Sequence, residues 1–377
     1  KQEIKKIIVA TAIITTYICI SLFFKSHFYF GTIVNGINIS GKTVEQAEKK
    51  INRKIETYTI SLEERNSIVE DIKGKEIDLK YNKNEILDNI INKQKSSIWI
   101  YEIFKRKNYV HDKFFNYDID LLKESFEKLN CLNDEKTIEP KSASLKFNGI
   151  KYEIIDEVYG DKVKKDELFN KIEEAIQYGK VKVNIGEVNC YEKPIYTSNS
   201  LELIEAKKIC DKYVSSKIVY TFDEATETVD RGVISSWITI DENLNARIDK
   251  EKIKEYVQEL SRKYDTYGKT RIFATSVGKE VEVKGGNYGF RIDKDKEYTE
   301  LINAIESGQS IVKEPVYIQK AKNRGDNDIG KTYVEVNITR QQLWFYKDGE
   351  LVTRGSVVTG NVERGWKTPN GTYVLNY

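Results

Sequence analysis

The chain has 377 residues, 32% of them charged and only four of them proline, a composition typical of two to four folded domains rather than of a disordered tail. Sixty-one basic residues against 59 acidic ones give a formal net charge of +2, which excludes the strongly basic field of a nucleic-acid-binding protein. Four cysteines are few for a disulfide scaffold, and without zinc-ligand spacing they predict neither a metal site nor a cofactor.

The first predicted element is a membrane helix. Ile7 to Phe24 is a run of 18 uncharged residues, close to the roughly 20 that cross a bilayer as a helix. Three lysines precede the run, so the positive-inside rule predicts a cytoplasmic N-terminus and an external C-terminus. A cleaved signal peptide is the alternative, but Phe23–Phe28 offers no small-residue cleavage site. Residues 1–29 are therefore interpreted as a cytoplasmic stub and an uncleaved single-pass anchor.

A strand, a turn and a helix are predicted next. Gly31–Ser40 has the pattern of a short strand and turn, and Thr43 with Gln46 has the spacing of a capping box at the start of a helix. The helix carries an apolar stripe of Val44, Ala47, Ile51 and Ile55. Farther along, Trp99 and Tyr101 are interpreted as packing residues rather than as a sugar-binding platform.

An internal repeat organises the middle of the chain. Residues 149–179 align without a gap on residues 278–308, and the identities include glycines at both ends, a Tyr-Gly pair, a Lys-Asp pair and an Ala-Ile pair. Each copy predicts a turn, a strand, a Tyr-Gly corner, an aspartate that can cap a helix (Asp166 or Asp295), and a helix ended by glycine. Because a one-residue slip would turn every strand side chain to the wrong face, we expect one fold and one register in both copies.

The repeat predicts two tandem α+β domains, residues 30–196 and 197–320. A polar, glycine-containing stretch follows and predicts a linker at residues 321–331. Cys210 shares a predicted helical face with Leu203 and Ala206 and is interpreted as a buried structural thiol.

Residues 332–377 predict only strands and turns. Tyr333–Ile338 alternates in polarity, and Asp348-Gly349 lies between apolar runs, which is a strong hairpin signal. Further strands are predicted at Ser356–Thr359 and Thr372–Tyr377, with a Pro-Asn-Gly turn before the second of them.

The order of these C-terminal motifs resembles the opening part of the L,D-transpeptidase catalytic domain of the YkuD type. The signature residues that carry the resemblance are Gln342, Trp344, Gly360, Thr368, Pro369 and Gly371. An unrelated antiparallel β-domain with the same turn chemistry is the alternative. The family's His-Gly step and Ser-His-Gly-Cys motif are absent from these 377 residues. The resemblance therefore implies a truncated start of the domain, no catalytic residue in this chain, and a chain that is inactive as given.

The second repeat copy resembles the peptidoglycan-binding-type module that often precedes such a catalytic domain, and the first copy matches that pattern less well. The resemblance implies contacts with peptidoglycan at five residues: Tyr159, Gly160, Gly286, Tyr288 and Gly289. A rigid spacer is the alternative, because glycine in a tight Tyr-Gly corner is explained by backbone geometry alone.

The predicted fold class is α+β: a transmembrane helix, two tandem α+β repeat domains and the truncated start of an all-β catalytic domain. The resemblance implies a wall-facing, membrane-anchored L,D-transpeptidase that contributes to cell-wall organisation and cell shape by cross-linking peptidoglycan stem peptides through a cysteine acyl-enzyme. Its implied partners are stem peptides, glycan and the membrane, with no nucleic acid and no cofactor.

Three alternatives stay open from the residues. One is a non-catalytic, membrane-anchored wall-binding protein. Another is a receptor ectodomain, against which the six residues before the apolar run argue. The third is a thiol enzyme built from His111 and Cys131, Cys190 or Cys210, none of which carries the local signature of such enzymes.

Overall fold

The computed structural model describes residues 1–83, 85–111, 113–325 and 328–375, without the side chain of Asn66. It mixes helices with small sheets of two or three strands, which confirms the predicted α+β class. The chain divides into two compact units. Unit 1 comprises Lys1–Ser142 and Glu157–Ile195, and unit 2 comprises Ala143–Asp156 and the chain from Tyr196 onward.

The helices are α1 (Gln2–Phe23), α2 (Val44–Glu56), α3 (Ile86–Asn92), α4 (Trp99–Glu102), α5 (Ile119–Glu127), α6 (Lys165–Gln177), α7 (Leu201–Val214), α8 (Arg231–Trp237), α9 (Lys250–Tyr264) and α10 (Lys294–Ser307). Short 3₁₀ turns lie at Arg65–Ser67, Gly74–Ile77, Ser96–Ile98 and Asn130–Leu132.

The strands of the first half are β1 (Thr32–Val34), β2 (Ile37–Asn38), β3 (Thr59–Glu63), β4 (Val69–Lys73), β5 (Lys80–Tyr81), β6 (Lys107–Tyr109), β7 (Phe115–Asn116), β8 (Ser144–Phe147), β9 (Tyr152–Ile155) and β10 (Lys182–Asn184). Those of the second half are β11 (Lys217–Phe222), β12 (Ala225–Val229), β13 (Ile238–Ile240), β14 (Ala246–Ile248), β15 (Arg271–Ala274), β16 (Glu280–Val283), β17 (Arg291–Ile292), β18 (Ser310–Lys313), β19 (Tyr317–Gln319), β20 (Tyr333–Asn337), β21 (Gln342–Lys347) and β22 (Glu350–Ser356).

Helix α1 has the length and composition of a membrane span, with a mean hydropathy of 2.0 and no buried residue. After α1 the chain enters the folded part of unit 1, where Phe24, Phe28 and Tyr29 are almost fully buried. The Gln94 side chain holds this exit, because its amide nitrogen donates to the carbonyl oxygens of Phe24 and His27, each at 2.8 Å.

Unit 1 is built around a sheet of order β10-β3-β4, in which β10 runs parallel to β3 and β4 antiparallel to it. Helix α2 begins with the predicted Thr43–Gln46 capping box and buries Ala47, Ile51 and Ile55. Their burial confirms the stripe read from the sequence, which places the apolar side chains on one face at helical spacing.

Unit 2 repeats this plan with a sheet of order β18-β11-β12, again one parallel and one antiparallel pairing. Helix α7 buries Cys210 fully between Ala206 and Val214, as the sequence predicts. Helices α9 and α10 complete the core, which includes Tyr220, Trp237 and Ile253.

The two repeat copies share one order of elements, as predicted, but the prediction of one register is wrong. Glu153 pairs with Lys146, whereas Glu282, which is aligned with Glu153, pairs with Ile272 and not with Thr275, the position that continues the alignment from Lys146. In each copy an antiparallel hairpin (β8–β9 or β15–β16) leads through a Tyr-Gly corner to a helix (α6 or α10) and then to the parallel strand of the sheet. The predicted helix cap is also wrong. Asp166 and Asp295 lie in the first helical turn, and the cap of α10 is Asp293, whose carboxylate accepts the amide of Lys296. An acidic side chain in the first turn still favours the helix through its dipole.

The hairpin of each copy packs against structure that follows that copy in the chain. Hairpin β8–β9 belongs to unit 2, where Tyr152 is 6% exposed and joins the core around α7. The amide of Tyr152 donates to the carboxylate of Asp211 at 2.7 Å. In the second copy, Phe273 of β15 packs edge-on against Tyr333 of the C-terminal sheet, with ring centroids 5.4 Å apart.

The C-terminal strands form an antiparallel sheet of order β20-β21-β22, with the predicted Asp348-Gly349 hairpin between the last two. The separate strand predicted at Ser356–Thr359 is wrong. Strand β22 ends at Ser356, and the amide of Thr359 donates instead to the side-chain oxygen of Gln341 at 2.8 Å. The strand predicted at Thr372–Tyr377 is also not formed over residues 372–375, where Thr372 makes a single parallel bridge; residues 376–377 lie outside the described part.

Candidate functional site

The glycine loop of the second repeat, residues 285–288, binds the segment that carries part of the C-terminal signature. Gly286 pairs with Thr372, and the amides of Asn287 and Tyr288 both donate to the Thr372 carbonyl, at 3.0 and 3.1 Å. In return the Thr372 amide donates to the carbonyl of Gly285 at 3.1 Å. The loop and the segment are therefore joined by backbone hydrogen bonds on both sides.

Glycine is required on both sides of this junction. A Cβ at Gly286, whose φ is 97°, would lie 2.0 Å from the Thr372 oxygen, and a Cβ at Gly371 would lie 2.7 Å from the Gly286 nitrogen. Both distances are far below van der Waals contact, so any side chain would separate the two backbones. In the first copy, Asp156 and Glu157 occupy the positions aligned with Gly285 and Gly286. The neighbouring residue, Val158, pairs with Lys141.

Tyr288 and Gly289 hold the loop from behind. The hydroxyl of Tyr288 donates to the carbonyl of Asp328 at 2.8 Å and accepts from the amide of Lys322 at 2.8 Å, and burial raises its pKa. Gly289, with a φ of 132°, passes so close to Thr266 that a Cβ would lie 2.4 Å from its carbonyl carbon. Both residues are therefore occupied by contacts within the protein.

A buried ion pair fixes the same region. The Arg271 guanidinium, 6% exposed, meets the Asp328 carboxylate, 4% exposed, through two nitrogens that each lie 2.7 Å from an oxygen. The remaining guanidinium hydrogens reach the carbonyls of Lys269, Thr266 and Tyr288. Asp328 lies in the stretch predicted as a linker, so this part of the stretch is packed against the second repeat.

The hairpin tip of the second repeat binds the C-terminal sheet through a buried carboxylate. Glu335 of β20 is 8% exposed, and its Oε2 accepts the Ser276 amide at 2.9 Å and the Ser276 hydroxyl. The same hydroxyl lies 2.9 Å from the Tyr346 hydroxyl. The sequence analysis missed Ser276 and Glu335, although an acidic residue alternating into a half-buried strand was a signal.

The signature residues divide between the sheet and this junction. Trp344 is buried in β21 opposite Glu335, and Gln342 pairs with Asn337 and Ser356. The Thr368 hydroxyl accepts the amide of Gly360 at 2.8 Å and closes the loop between them. A Cβ at Gly360 would collide with the Trp366 carbonyl at 1.7 Å, and Pro369 is exposed.

The first copy's corner has a different environment. Tyr159 is 46% exposed, with the Arg65 guanidinium 6.0 Å from its ring centroid. Gly160 has a φ of 60°, a Cβ there would lie 2.1 Å from the Ile138 oxygen, and its carbonyl accepts from Arg65. Gly160 is thus explained by close backbone contact, whereas the Tyr159 ring stays accessible.

The thiols are not activated. Burial, followed by the nearby Glu70 carboxylate, raises the pKa of Cys131 to about 12, and burial raises the pKa of Cys210 to about 11 and that of Cys190. A thiol nucleophile needs the opposite shift. In the described part of the chain the backbone of His111 bonds to Asn35, its Nε2 is buried without a partner, and no hydrogen bond links it to a cysteine.

Among the described residues, one group has ligand atoms within 4.8 Å of one another: Glu64, Glu70 and Cys131. The Glu70 carboxylate is already engaged, because it accepts the amides of Asn130 and Cys131 at 2.7 and 2.8 Å. The raised pKa of Cys131 also opposes the thiolate form that a metal ion binds. The arrangement fits a shared carboxyl pair better than a metal site.

Comparison with protein families gives two matches. The model of a "Putative peptidoglycan binding domain" matches residues 70–184 and 196–313, which together make more than half of the chain. The chain belongs to this family. Residues 331–377 match the L,D-transpeptidase catalytic domain of the YkuD type. The two repeats are therefore peptidoglycan-binding-type modules, called modules 1 and 2 below, and the C-terminal sheet is the start of a YkuD domain.

Two solved structures are similar to part of the chain. One is the Ldtfm carbamoyl enzyme formed with avibactam, at 29% identity and a TM-score of 0.35. The other is a cysteine-to-serine mutant of the Enterococcus faecium L,D-transpeptidase, at 29% identity and a TM-score of 0.34. The matches cover 45% and 44% of this chain and 65% and 66% of those chains, slightly less than two thirds of their length. Among curated proteins none matches significantly.

Proposed function

We propose that this polypeptide supplies the membrane anchor, two wall-directed modules and the first strands of the catalytic domain of a peptidoglycan L,D-transpeptidase. The observation that carries the proposal is the junction itself. Module 2 contacts the sheet that carries Gln342 and Trp344 through Ser276, and it binds the segment next to Gly371 through Gly286 and Tyr288. This close packing, with a glycine on each side, supports a module that is built together with the catalytic domain.

The reaction proposed is acyl transfer through a thiolate. A cysteine activated by a histidine attacks the amide carbonyl after the third residue of a stem peptide, the following D-residue leaves, and an amine of a second stem takes the acyl group. Backbone amides stabilise the oxyanion. Residues 333–377 contain neither cysteine nor histidine, and the three ectodomain thiols have raised pKa values, so a polypeptide of these 377 residues is expected to be inactive.

The test uses a carbapenem, the β-lactam class expected to acylate this family. The natural gene product, purified from its membrane, and the 377-residue chain are each incubated with the carbapenem and analysed by intact mass and peptide mapping. An adduct on a cysteine of the natural product, and none on the 377-residue chain, supports the proposal. An adduct on Cys131, Cys190 or Cys210 would place the chemistry elsewhere.

The alternative is a non-catalytic, membrane-anchored wall-binding protein. It keeps the anchor and the modules and uses the C-terminal sheet only for packing. Absence of any carbapenem adduct from the natural gene product, together with binding to isolated cell wall, would favour this alternative.

For the wall contact we propose Tyr159 as the residue available to peptidoglycan, since its ring is accessible and an aromatic face can stack on a sugar. Gly160, Gly286, Tyr288 and Gly289 then act as structural residues, as the rigid-spacer alternative requires. Co-sedimentation of detergent-solubilised chain with peptidoglycan sacculi should weaken for Tyr159→Ala and stay unchanged for Tyr101→Ala, an exposed tyrosine outside the Tyr-Gly corners. Equal binding by both variants would rule out Tyr159.

The proposed location is the cell membrane, with the C-terminus facing the wall. The lysines before the apolar run support this orientation, and the wall-directed modules need it, because peptidoglycan lies outside the membrane.

A further inference from the structure

An apolar surface lies beside the C-terminal part of α1. Four large side chains of the segment that contains the Ser96–Ile98 turn and α4 face solvent: Ile98 (44% exposed), Ile100 (50%), Tyr101 (68%) and Phe104 (83%). The sequence analysis interpreted Tyr101 as a packing residue, which is wrong, whereas Trp99 is partly buried. So many large, exposed apolar side chains in one short segment are unusual on a soluble surface. Residues 96–104 are called the apolar segment below.

The apolar segment packs alongside α1 rather than beyond its end. The hydroxyl of Tyr17 donates to the carbonyl of Ser97, and the rings of Tyr17 and Trp99 lie 5.9 Å apart. Trp99 also contacts Phe24, with ring centroids 6.2 Å apart. At 1.5 Å per residue, Tyr17 lies about 9 Å below the last residue of α1, so the segment reaches back along the helix by about that distance.

This contact fixes the depth of the apolar segment if α1 crosses the membrane, as the proposed function requires. From Lys6 to Tyr17 the helix rises about 16 Å, against about 30 Å for the hydrocarbon core. Tyr17 therefore lies in the outer half of the bilayer, just beyond the midplane. Whatever binds Tyr17 must lie at the same depth, and the residues that bind it are Ser97 and Trp99.

The segment is suited to that depth. Its backbone is largely helical, with the amide of Ile98 donating to Lys95 and that of Ile103 to Trp99, and the Ser97 carbonyl accepts from Tyr17. Satisfied backbone groups are what a lipid environment demands. Exposed basic residues flank the segment on both sides, where long side chains can reach headgroup phosphates: Lys93, Lys95, Lys105 and Arg106.

We propose that the apolar segment is a membrane-docking surface that inserts Ile98, Ile100, Tyr101 and Phe104 into the outer leaflet of a phospholipid bilayer. It seats unit 1 directly on the membrane beside the anchor. The proposal rests on the proposed membrane span of α1 and adds to it a second, independent attachment. The orientation of unit 1 is then set by two lipid contacts rather than by a flexible tether.

The test compares two exposed apolar positions in the full chain. Phe104 and Ile195 are both 83% exposed and both belong to unit 1. Phe104→Cys and Ile195→Cys are made in a chain with Cys19→Ala and Cys131→Ala; Cys190 and Cys210, 1% and 0% exposed, stay unlabelled. Each variant is labelled with an environment-sensitive fluorophore and reconstituted into vesicles of phosphatidylcholine and phosphatidylglycerol.

The label at position 104 should be quenched by lipids brominated on the acyl chain and protected from aqueous iodide, with an iodide quenching constant several-fold lower than at position 195. Equal iodide quenching at both positions in vesicles that retain the chain after an alkaline wash overturns docking but not anchoring. Loss of the chain in that wash overturns both. Protection that depends on protein concentration and not on brominated lipid overturns docking in favour of contact between two copies.

Discussion

Gly286 determines how the segment around Thr372 meets module 2, and its effect can be separated from backbone strain. Gly286 and Gly278 both have positive φ, 97° and 75°, so alanine at either position carries a strain of about 1 to 2 kcal/mol. Only Gly286 has a neighbour in the way, whereas a Cβ at Gly278 would meet nothing within 4 Å.

We therefore expect Gly286→Ala, and not Gly278→Ala, to open the junction. In amide hydrogen exchange, peptides covering residues 285–290 and 370–375 should lose protection in Gly286→Ala, because the bonds from Asn287 and Tyr288 to Thr372 break. If both variants exchange alike, close contact with Thr372 is not what the glycine serves.

The carboxyl pair of unit 1 gives its stability a pH dependence. Burial, then a hydrogen bond and charge from Glu70, then the charge of Asp161, raise the pKa of Glu64 to about 7. Although burial opposes it, bonds from the amides of Asn130 and Cys131 hold the pKa of Glu70 below its usual range. Because the folded chain binds the Glu64 proton more tightly than the unfolded chain, this stabilisation is full below about pH 4.5 and is lost as pH rises through about 7.

Glu64→Gln should flatten that dependence. The urea midpoint for unit 1 should fall between about pH 4.5 and about pH 7 in the wild type and change less in the variant. The shift at Glu70 has the opposite sign and acts below about pH 4.5, outside this window. Glu127→Gln, at an exposed position of α5, is the control and should follow the wild type. A wild-type midpoint that rises over the window would contradict the assignment.

Hairpin β8–β9 is the element whose destination the sequence did not reveal. Its turn and its second strand were predictable, because in both copies a glycine turn precedes a strand-like run. Its register was not, since the strand pairing differs between the two copies. Its partners were not, because a gapless repeat describes one copy's own residues and says nothing about which core receives Tyr152. The strand predicted at Thr372 failed for the same reason. The sequence around Thr372 has the pattern of a strand, but its backbone pairs with a glycine loop almost ninety positions earlier in the chain.

Replacing Tyr152 should therefore lower the stability of unit 2, although Tyr152 precedes α6 in the first repeat. Tyr152→Ala removes a 6% exposed ring from the core around α7, a change that typically costs about 3 to 5 kcal/mol for a large aromatic side chain. We expect faster amide exchange in α7, with α6 unchanged. Tyr159→Ala, at a 46% exposed ring, is the matched control and should leave both helices protected. Loss of protection confined to α6 would show that the hairpin stabilises its own repeat.

At the scale of the whole molecule the sequence was most informative where one signal spans many residues. The 18-residue uncharged run, the gapless repeat and the order of the C-terminal motifs gave the fold class and the family. The junctions escaped prediction because each depends on single residues, such as Ser276 and Asp328, that meet partners distant in sequence.

The proposed topology has a direct check in intact protoplasts. Protease added from outside should remove both modules and the C-terminal sheet, because only the six residues before the apolar run Ile7 to Phe24 are expected inside. The protected fragment should extend past Phe23, since Phe24, Phe28 and Tyr29 are buried and resist cleavage. Full protection of the chain would show the reverse orientation.

The packing of each repeat's hairpin against the structure that follows it also has an evolutionary consequence. A repeat defined by sequence and a unit defined by packing do not begin and end at the same residues. Residues 143–156 lie within module 1 by sequence but belong to unit 2 by packing. Recombination that exchanged a whole sequence repeat would leave the following core without its hairpin. Duplicated genes of this kind can therefore shuffle modules only where the donated hairpin and its recipient are inherited together, which couples the divergence of neighbouring repeats.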